Sequence, residues 1–433
     1  MQPAARILVV YYYRGRPLKA ANRDHLYAFA GDPRLETFYL NLAMRRIPRD
    51  FSRLQFDAVV FDPLFMSHRP ATPTFMRILD LAEPLKALAP VRIALPQDEF
   101  FLPHLQDAID RLGITHLFSV SPPSEWSKLY PGARGVVFHE VLTGYLDDRR
   151  LRSLSRLAAG RPARDIDIGY RAFAAPAWLG KHGRYKAEMG SRVAERAAQI
   201  GGIVADISNR PGDTIFGDDW FRFLLRCKYT IGVEGGASLL DPDGRILRET
   251  TRYAAEHPGA SFEEIERAVF PGQDDSVAFF MLSPRHLEAV ATRTCQILIE
   301  GRYNGILKPH RHYIPLKRDY SNLDEVLEQI KKDDIRAEMV ERAYQDIVAS
   351  GIVSSRRFVD EVMRVSLGAD FAGRSAANVA GARWAHLRCR LADQISLWRL
   401  IPGAKWFQLK ARLKDRLPAT WTRRLIALKR ALV

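Results

Sequence analysis

Apolar runs alternate with amphipathic segments along the first third of the chain. Uninterrupted runs rich in Val, Ile and Leu, separated by helical periodicity, are typical of parallel strands buried on both faces of a sheet. The runs that predict strands are 6–13, 58–62, 91–96, 116–120 and 136–139. The segments that predict helices between them are 79–88 and 102–112. We therefore expect a Rossmann-like α/β domain over residues 1–155.

The same alternation resumes after an Arg- and Leu-rich helical segment and a short linker. Further strands are predicted at 166–173, 203–206, 229–233, 296–299 and 313–316. Further helices are predicted at 190–200, 220–226, 284–294 and 323–332. This pattern indicates a second Rossmann-like domain over 160–345, followed by a closing helix over 346–373. Such sheets bind ligands beyond the carboxyl ends of their strands, so we expect the site in a cleft where the two domains face each other.

Positive charge is concentrated at the end of the chain. The net charge is +15, and residues 374–433 contain 14 Lys and Arg against Asp393 and Asp415. Trp, Leu and Ile alternate with these cations, which predicts a basic amphipathic helical tail that lies on an anionic membrane surface. The alternative is a helix packed on the body of the protein, with a solvated basic face. A nucleic-acid enzyme carries its cations around the active groove, so nucleic acid is not an expected partner.

The composition indicates a folded protein of the reducing cytoplasm. Hydrophobic residues make up 47% of the chain, which excludes a wholly disordered protein. The three cysteines form no CxxC pair, the first residues read as a strand rather than a signal peptide, and no apolar run reaches the ~18 residues of a membrane span. We expect a cytoplasmic protein that is peripheral at the inner face of the membrane.

Residues 227–327 carry the most candidate chemistry. Glu234 and Gly235 follow a predicted strand, where a carboxylate suits a sugar hydroxyl and a glycine allows close backbone approach, with a simple turn as the alternative. Ser283 suits the N-cap of the next helix, whose free N–H groups and dipole favour an anion. Arg285 adds a charge suited to a diphosphate. Glu288 lies one turn further on the same face, where a surface ion pair with Arg285 is the alternative.

Carboxylates at other strand ends could also take part. Glu300 ends an apolar run, where it could accept both hydroxyls of a ribose or be a solvated turn residue. Asp98 follows a predicted strand and is our candidate base for an acceptor hydroxyl, with a helix N-cap as the alternative role. His139 is the second candidate base, with a structural role as the favoured alternative. Asp165 and Asp167 have Asp-x-Asp spacing but lie at the entry to a strand, so no metal site is expected.

Several motifs resemble those of known glycosyltransferases. In the donor-binding half of GT-B glycosyltransferases a strand ends in Glu-Gly and a later helix carries Glu-Ala, which resembles Glu234-Gly235 and Glu288-Ala289 here, although an insertion at 239–282 separates them. The stretch ILKPHRHYIPLKRDYSNLDEVLEQI is similar to the C-terminal part of CAP10-type protein O-glucosyltransferases. PQDEF, LTGY, DIGYRA and EGGAS resemble uncharacterised glycosyltransferases encoded among bacterial surface-polysaccharide genes.

The resemblance implies a GT-B fold whose first domain holds the acceptor and whose second domain holds the donor. Arg171 and Lys186 match, by position and charge, the basic pair that GT-B enzymes place on the donor diphosphate. The predicted catalytic residues are Asp98 and Glu234. The predicted donor-binding residues are Arg171, Lys186, Gly235, Ser283, Arg285, Glu288, Glu300 and Tyr303.

These patterns together predict a glycosyltransferase with a nucleotide-sugar donor and a lipid-linked or cell-envelope glycan acceptor. It is expected to need no metal and no cofactor besides the nucleotide-sugar substrate. The main alternative is a catalytically inert GT-B-like scaffold in a polysaccharide-assembly complex. A nucleic-acid-binding α/β protein is favoured only by the net positive charge, which deletion of 374–433 would largely remove.

Overall fold

Two parallel sheets, one in each half of the chain, organise the part of the protein that the structure describes. The structure is a computed structural model that describes residues 5–15, 18–43, 47–69, 72–160, 162–373 and 383–416, with side chains in the last range described over 384–400. The strands are β1 (Ala5–Tyr11), β2 (Leu35–Asn41), β3 (Ala58–Phe61), β4 (Val91–Ala94), β5 (His116–Ser119), β6 (Val137–Glu140), β7 (Ile166–Arg171), β8 (Ala205–Ser208), β9 (Cys227–Gly232), β10 (Gly235–Ala237), β11 (Phe279–Met281), β12 (Cys295–Ile299) and β13 (Ile314–Leu316).

Helices follow most of the strands. The α-helices are α1 (Ala20–Leu26), α2 (Pro63–Met66), α3 (Thr72–Ala82), α4 (Leu102–Leu112), α5 (Trp126–Leu129), α6 (Asp148–Ala159), α7 (Gly180–Ile200), α8 (Asp218–Arg226), α9 (Arg245–Glu256), α10 (Phe262–Val269), α11 (Pro284–Ala291), α12 (Leu323–Lys332), α13 (Arg336–Ala343), α14 (Ser355–Leu367) and α15 (Arg383–Arg416). A π-helical turn, Tyr344–Ala349, continues α13.

The first sheet contains six strands in the order β2-β1-β3-β4-β5-β6, and every neighbouring pair is parallel. All seven residues of β1 are buried, as expected for a central strand covered on both faces. The five predicted strands are confirmed, but β2 was not predicted. This edge strand carries Glu36 and Thr37 on its less buried part, so it lacks the continuous apolar run by which the other strands were recognised.

The second sheet contains five strands in the order β13-β12-β9-β7-β8, again all parallel. These are the five strands predicted for this half, so the expected pair of Rossmann-like domains is confirmed. Helix α7 begins ten residues before its predicted start, at Gly180 instead of residue 190. Three glycines in this stretch lower its helix propensity, yet Gly190 allows a close approach, because a Cβ there would lie 3.2 Å from the Asn209 side chain.

The insertion at 239–282 forms its own small unit next to the second sheet. It contains α9 and α10, and its apolar side chains form a separate cluster around Ile246 and Phe270. Strand β11 returns to pair antiparallel with β10. The unit also reaches the first domain, because the Leu102 N–H donates to the Pro242 carbonyl at 2.7 Å. The insertion therefore joins the two domains at one end of the cleft between them.

The last described helices return to the first domain. Phe358 of α14 belongs to the same hydrophobic core as β1. Asp393 of α15 is buried and accepts hydrogen bonds from the hydroxyls of Tyr11 and Tyr27, the second at 3.1 Å. Glu36 accepts from His386 at 2.6 Å, which fixes α15 along β2.

The contacts of α15 show how the described part of the predicted basic tail is placed. Over its described part, one face of the segment is packed on the body of the protein, while residues 374–382 and 417–433 lie outside the described residues. Within the described ranges, no helix combines the length and the apolarity needed to cross a bilayer.

Candidate functional site

A cleft of about 800 Å³ lies between the carboxyl ends of the two sheets. The first domain lines it with Lys19, Asp98 and Thr143, which follow β1, β4 and β6, and the second lines it with Arg171 at the end of β7 and Gly235 after β9. In both sheets the strand order reverses beside the first strand of the domain, between β1 and β3 and between β7 and β9. Doubly wound sheets bind ligands at such reversal points, and here both open into one cleft. This is the two-domain arrangement of the GT-B architecture.

Four cationic side chains converge in the cleft. Lys19, Arg171, Lys186 and Arg285 all line it, and a recess of about 110 Å³ continues from it beneath the same four residues. Lys19 comes from the first domain, and the other three side chains come from the second domain. The cluster therefore spans both walls of the cleft.

The two arginines of this cluster are held by the protein. Arg171 forms a salt bridge with Asp206 at 2.7 Å, and its guanidinium lies 4.5 Å from the centre of the Phe223 ring. Arg285 donates to the main-chain carbonyl of Arg171 and lies 5.5 Å from the centre of the Trp220 ring. Guanidinium groups held in this way lose little conformational freedom when they bind a ligand.

The two lysines differ from the arginines because, among the described residues, no carboxylate forms a salt bridge with either of them. Desolvation by the cleft walls and then the charge of Arg285 lower the pKa of Lys19, which nevertheless remains exposed to the cleft. Desolvation, Arg285 and Lys19 lower the pKa of the half-buried Lys186 to about 8. Partly desolvated cations without counter-ions favour the binding of an anion.

The N-terminus of α11 adds to this positive field. Ser283 is its N-cap in an extended conformation and Pro284 is its first residue, as the sequence predicted. His286 accepts from the Ser283 N–H through Nδ1 at 3.2 Å. Burial, followed by the charges of Lys186 and Arg285, lowers the pKa of His286 to about 3, so this imidazole is neutral. The N-terminal end of α11, where the helix dipole is positive, and Arg285 line the same cleft.

Glu288 is the acidic group nearest to these cations on α11. It is buried and accepts from the indole N–H of Trp220 at 2.7 Å. Burial raises the pKa of Glu288 to about 7, and the Trp220 hydrogen bond and the charge of Arg285 only partly oppose this. Glu288 therefore holds Trp220 beneath Arg285 without fully neutralising the cationic cluster at neutral pH.

This shift predicts a pH-dependent stability. Between the ordinary glutamate pKa of 4.5 and about 7, folded protein keeps a proton that the unfolded chain has lost, so the free energy of unfolding falls as pH rises through this window. Glu288→Gln removes the titration and keeps an acceptor for Trp220. We compare the free energies of unfolding of the variant and wild type by denaturant unfolding. The value for the variant minus that for wild type should increase by on the order of 3 kcal/mol between pH 4.5 and 7.5.

The matched control for this experiment is Glu300→Gln, because Glu300 is an exposed carboxylate at a strand end. It makes the same chemical change at a position where no buried carboxyl group is removed. An equal difference for Glu288→Gln at both pH values would mean that Glu288 titrates normally in the fold.

The loop after β4 carries Asp98 and is anchored from beneath. Arg69 is fully buried and donates to the main-chain carbonyls of Asp98 and Phe100, the second at 3.1 Å. Glu99 is also fully buried and accepts from the Tyr130 hydroxyl at 2.6 Å and from Ser119. The neighbouring Asp98 side chain remains exposed in the cleft. The loop is thus held through its main chain and through Glu99, which leaves the Asp98 carboxylate available to a ligand.

A short hydrogen-bonded path links this loop to α11. Gln97 donates through Nε2 to the Thr143 carbonyl at 2.7 Å, and the Thr143 hydroxyl donates to the Leu282 carbonyl at 2.5 Å. Gly144 approaches Pro284 so closely that a Cβ there would lie 2.8 Å from the proline ring. This path sets the spacing between Asp98 and the cations.

The structure brings together most of the predicted site residues. Those that line the cleft are Asp98, Arg171, Lys186, Gly235, Ser283, Arg285 and Glu288. Three predicted residues lie outside this lining. Glu234 is buried and accepts from the Tyr303 N–H at 2.7 Å, with burial raising the pKa of its carboxyl group. Tyr303 is fully buried and donates to the Ile299 carbonyl at 2.6 Å, and Glu300 is exposed at the end of β12.

The other candidates from the sequence form contacts elsewhere. His139 contacts Glu361 of α14 at 2.7 Å and is not part of the cleft lining. Asp165 pairs with Arg226, and Asp167 pairs with Lys228 at 2.8 Å. In the described part of the chain, no three His, Cys, Asp or Glu side chains are grouped so that they could hold a metal ion.

Sequence reasoning missed several residues of the cleft. Lys19 follows the first strand of a Rossmann-like domain, so the rule that predicted Asp98 and Glu234 could have found it. Arg69 gave no signal, because a lone arginine between two helical segments is ordinarily solvated. The Trp220 indole reaches Glu288 across 68 positions, which no local pattern reveals.

Comparisons with known proteins give distant structural likenesses. No protein-family model and no curated protein matches the sequence. HepE of Anabaena in complex with UDP-glucose aligns with a TM-score of 0.45 at 10% identity, over 83% of this chain and 98% of that chain. An alpha-glucosyltransferase in complex with UDP and a 13-mer DNA aligns with a TM-score of 0.44 at 12% identity, over 82% and 99%. An alpha1,3-fucosyltransferase with GDP-fucose aligns with a TM-score of 0.32 at 9% identity, over 83% and 91%.

Proposed function

We propose that this protein transfers a glycosyl group from a nucleoside-diphosphate sugar to a hydroxyl group of an acceptor. The observation that carries the proposal is the convergence of Lys19, Lys186 and Arg285 at the N-terminus of α11, where the two lysines form no salt bridge with a carboxylate of the described residues. A diphosphate supplies the negative charge that such a cluster favours.

The chemistry of the transfer follows from this arrangement. The bond between the sugar C1 and the diphosphate oxygen breaks, and a new bond forms between C1 and the acceptor oxygen. Lys186 and Arg285 stabilise the charge that develops on the leaving diphosphate, a role that a preorganised cluster performs without reorganisation. Asp98 takes the proton of the acceptor hydroxyl from the opposite wall of the cleft. The cations carry the charge of the leaving group, so the proposed reaction needs no metal ion.

The acceptor belongs to the same proposal. A lipid-linked or cell-envelope glycan is supported by the resemblance of the sequence to glycosyltransferases of bacterial surface-polysaccharide genes. The basic segment 374–433 supports a cytoplasmic protein at the inner face of a membrane, where such acceptors are assembled.

A nucleotide screen tests the donor half of the proposal. The full chain is heated with UDP, GDP, TDP, CMP, ADP and their common sugar conjugates, in the presence of EDTA. A ligand at about 100 times its Kd stabilises a protein by about 2.7 kcal/mol, so one nucleoside diphosphate should raise the melting temperature by several degrees. A protein that is folded but shifts with none of them would favour the inert scaffold.

A further inference from the structure

The face of α15 that points away from the body of the protein is apolar. Trp384, Leu387, Leu391, Ile395 and Trp398 are between 40% and 77% exposed. At about 100° per residue, these five positions fall within an arc of about 80° on the helix. We call these five residues the α15 stripe. Nine large apolar side chains are exposed among the described residues, and five of them form this one stripe, so it is not ordinary surface scatter.

The opposite face of α15 is occupied. Ala385, Cys389 and Ala392 are buried in the interface with the first domain, and Asp393 accepts from two tyrosine hydroxyls there. The helix therefore cannot turn its apolar side inward without breaking these buried hydrogen bonds. The stripe is a fixed part of the folded surface.

Arginines flank the stripe on both sides. Arg388 and Arg399 lie along one edge and Arg390 lies along the other. Asp50 of the body lies 3.6 Å from Arg388, and Glu36 lies 3.1 Å from Arg390. The single acidic residue between 384 and 400 is the buried Asp393, so the exposed surface of this segment has no carboxylate of its own.

We infer that the α15 stripe docks on an anionic lipid bilayer, with the helix lying parallel to the membrane plane. Helices with Trp and Leu on one side and flanking cations lie in the boundary between headgroups and acyl chains. Tryptophans at both ends of the stripe suit that boundary, because their rings prefer the membrane interface. A second copy of the chain fits less well. Arg388 and Arg390 are already paired with carboxylates of the body, but Arg399 would find no exposed carboxylate on the stripe segment of a second copy.

A basic tail that is only attracted to negative charge would have no fixed docking surface. The docking surface is preformed on the folded protein, and apolar contact contributes to binding in addition to charge. Because α15 lies along β2, docking also places the first domain, which carries Asp98, next to the bilayer. An acceptor held by a lipid would thus approach the side of the cleft that carries the proposed base. Docking itself does not depend on the proposed transfer.

Vesicle co-sedimentation with the full chain tests the inference. The probes are vesicles of equal parts phosphatidylglycerol and phosphatidylcholine, and vesicles of phosphatidylcholine alone. The variant combines Trp384→Ser, Leu391→Ser and Trp398→Ser. The control combines Val137→Ser and Val204→Ser, which are exposed apolar residues outside α15. We expect wild type and control to bind the anionic vesicles equally, and the stripe variant to bind at least about tenfold more weakly.

Other outcomes would overturn the inference. Equal binding by the stripe variant would assign docking to the cations of 401–433 alone, where nine Lys and Arg stand against Asp415. Wild type that binds no vesicles, but is a dimer that the variant converts to a monomer, would assign the stripe to a second copy of the chain. The nucleotide screen on the same variant, without vesicles, should be unchanged, so a failure of docking is distinguishable from a failure of the proposed transfer.

Discussion

Arg285→Ala should weaken binding of the donor nucleotide about 100-fold, because a charge-assisted contact to a desolvated diphosphate is worth about 2–5 kcal/mol. Arg285 is preorganised by its hydrogen bond to the Arg171 carbonyl and by its position over Trp220, so its loss removes both a charge and a fixed geometry. The measurement is calorimetric titration of wild type and variant with the nucleoside diphosphate that the screen identifies.

Two further variants make this result specific. Arg285→Lys keeps the charge but not the planar fork, so we expect an intermediate affinity. Arg302→Ala removes an exposed arginine from outside the cleft lining and should bind like wild type. If Arg285→Ala binds within a factor of three of wild type while its melting temperature is unchanged, the donor diphosphate lies elsewhere.

The second large effect is expected at the opposite wall of the cleft. Asp98→Asn should lower kcat by a factor of about 10²–10⁴, the usual contribution of a positioned general base, while donor binding is retained. The substitution should not move the loop, because Arg69 donates to the main-chain carbonyl of residue 98 and Tyr130 donates to the side chain of the next residue, Glu99. The measurement is the rate of sugar transfer, or of donor hydrolysis until an acceptor is known, with calorimetric titration of the donor alongside.

The matched control is Asp107→Asn on α4, a carboxylate that is 46% exposed and outside the cleft lining. It should leave the rate unchanged. A rate for Asp98→Asn within a few-fold of wild type would rule out Asp98 as the base. The next candidate base would then be a buried carboxylate that becomes accessible when a ligand binds, and Glu288 would be tested first.

The sequence was a good guide to the sheets, because a strand covered on both faces must be apolar along its whole length. This held for β3, and it failed for β2, whose position at the edge of the sheet permits polar residues such as Glu36. It also failed at the start of α7, where a Cβ at Gly180 would clash with the Ser238 hydroxyl, so close packing favours glycine over better helix formers.

The candidate site was predictable where function depends on the position of a residue along its own element. Ser283 and Arg285 open a helix, and Asp98 follows a strand, so local rules placed all three in the cleft. Glu234 also follows a strand, but its carboxylate meets the N–H of Tyr303, which is 69 positions away. Tyr303, Asn304 and Gly305 all have positive φ, and this left-handed turn brings the main chain over Glu234. No pattern around Glu234 contains that information.

The return of α14 and α15 to the first domain has a consequence for biosynthesis. The strands of the first sheet are translated before the second domain, yet Phe358 and Asp393, which complete its core and its buried tyrosine contacts, are translated after that domain. Until then, apolar surface around β1 and the edge of β2 remains uncovered, and contacts of such long sequence separation form slowly. The first domain therefore stays incompletely folded while the whole second domain is synthesised. Its uncovered apolar surface can bind chaperones during that time.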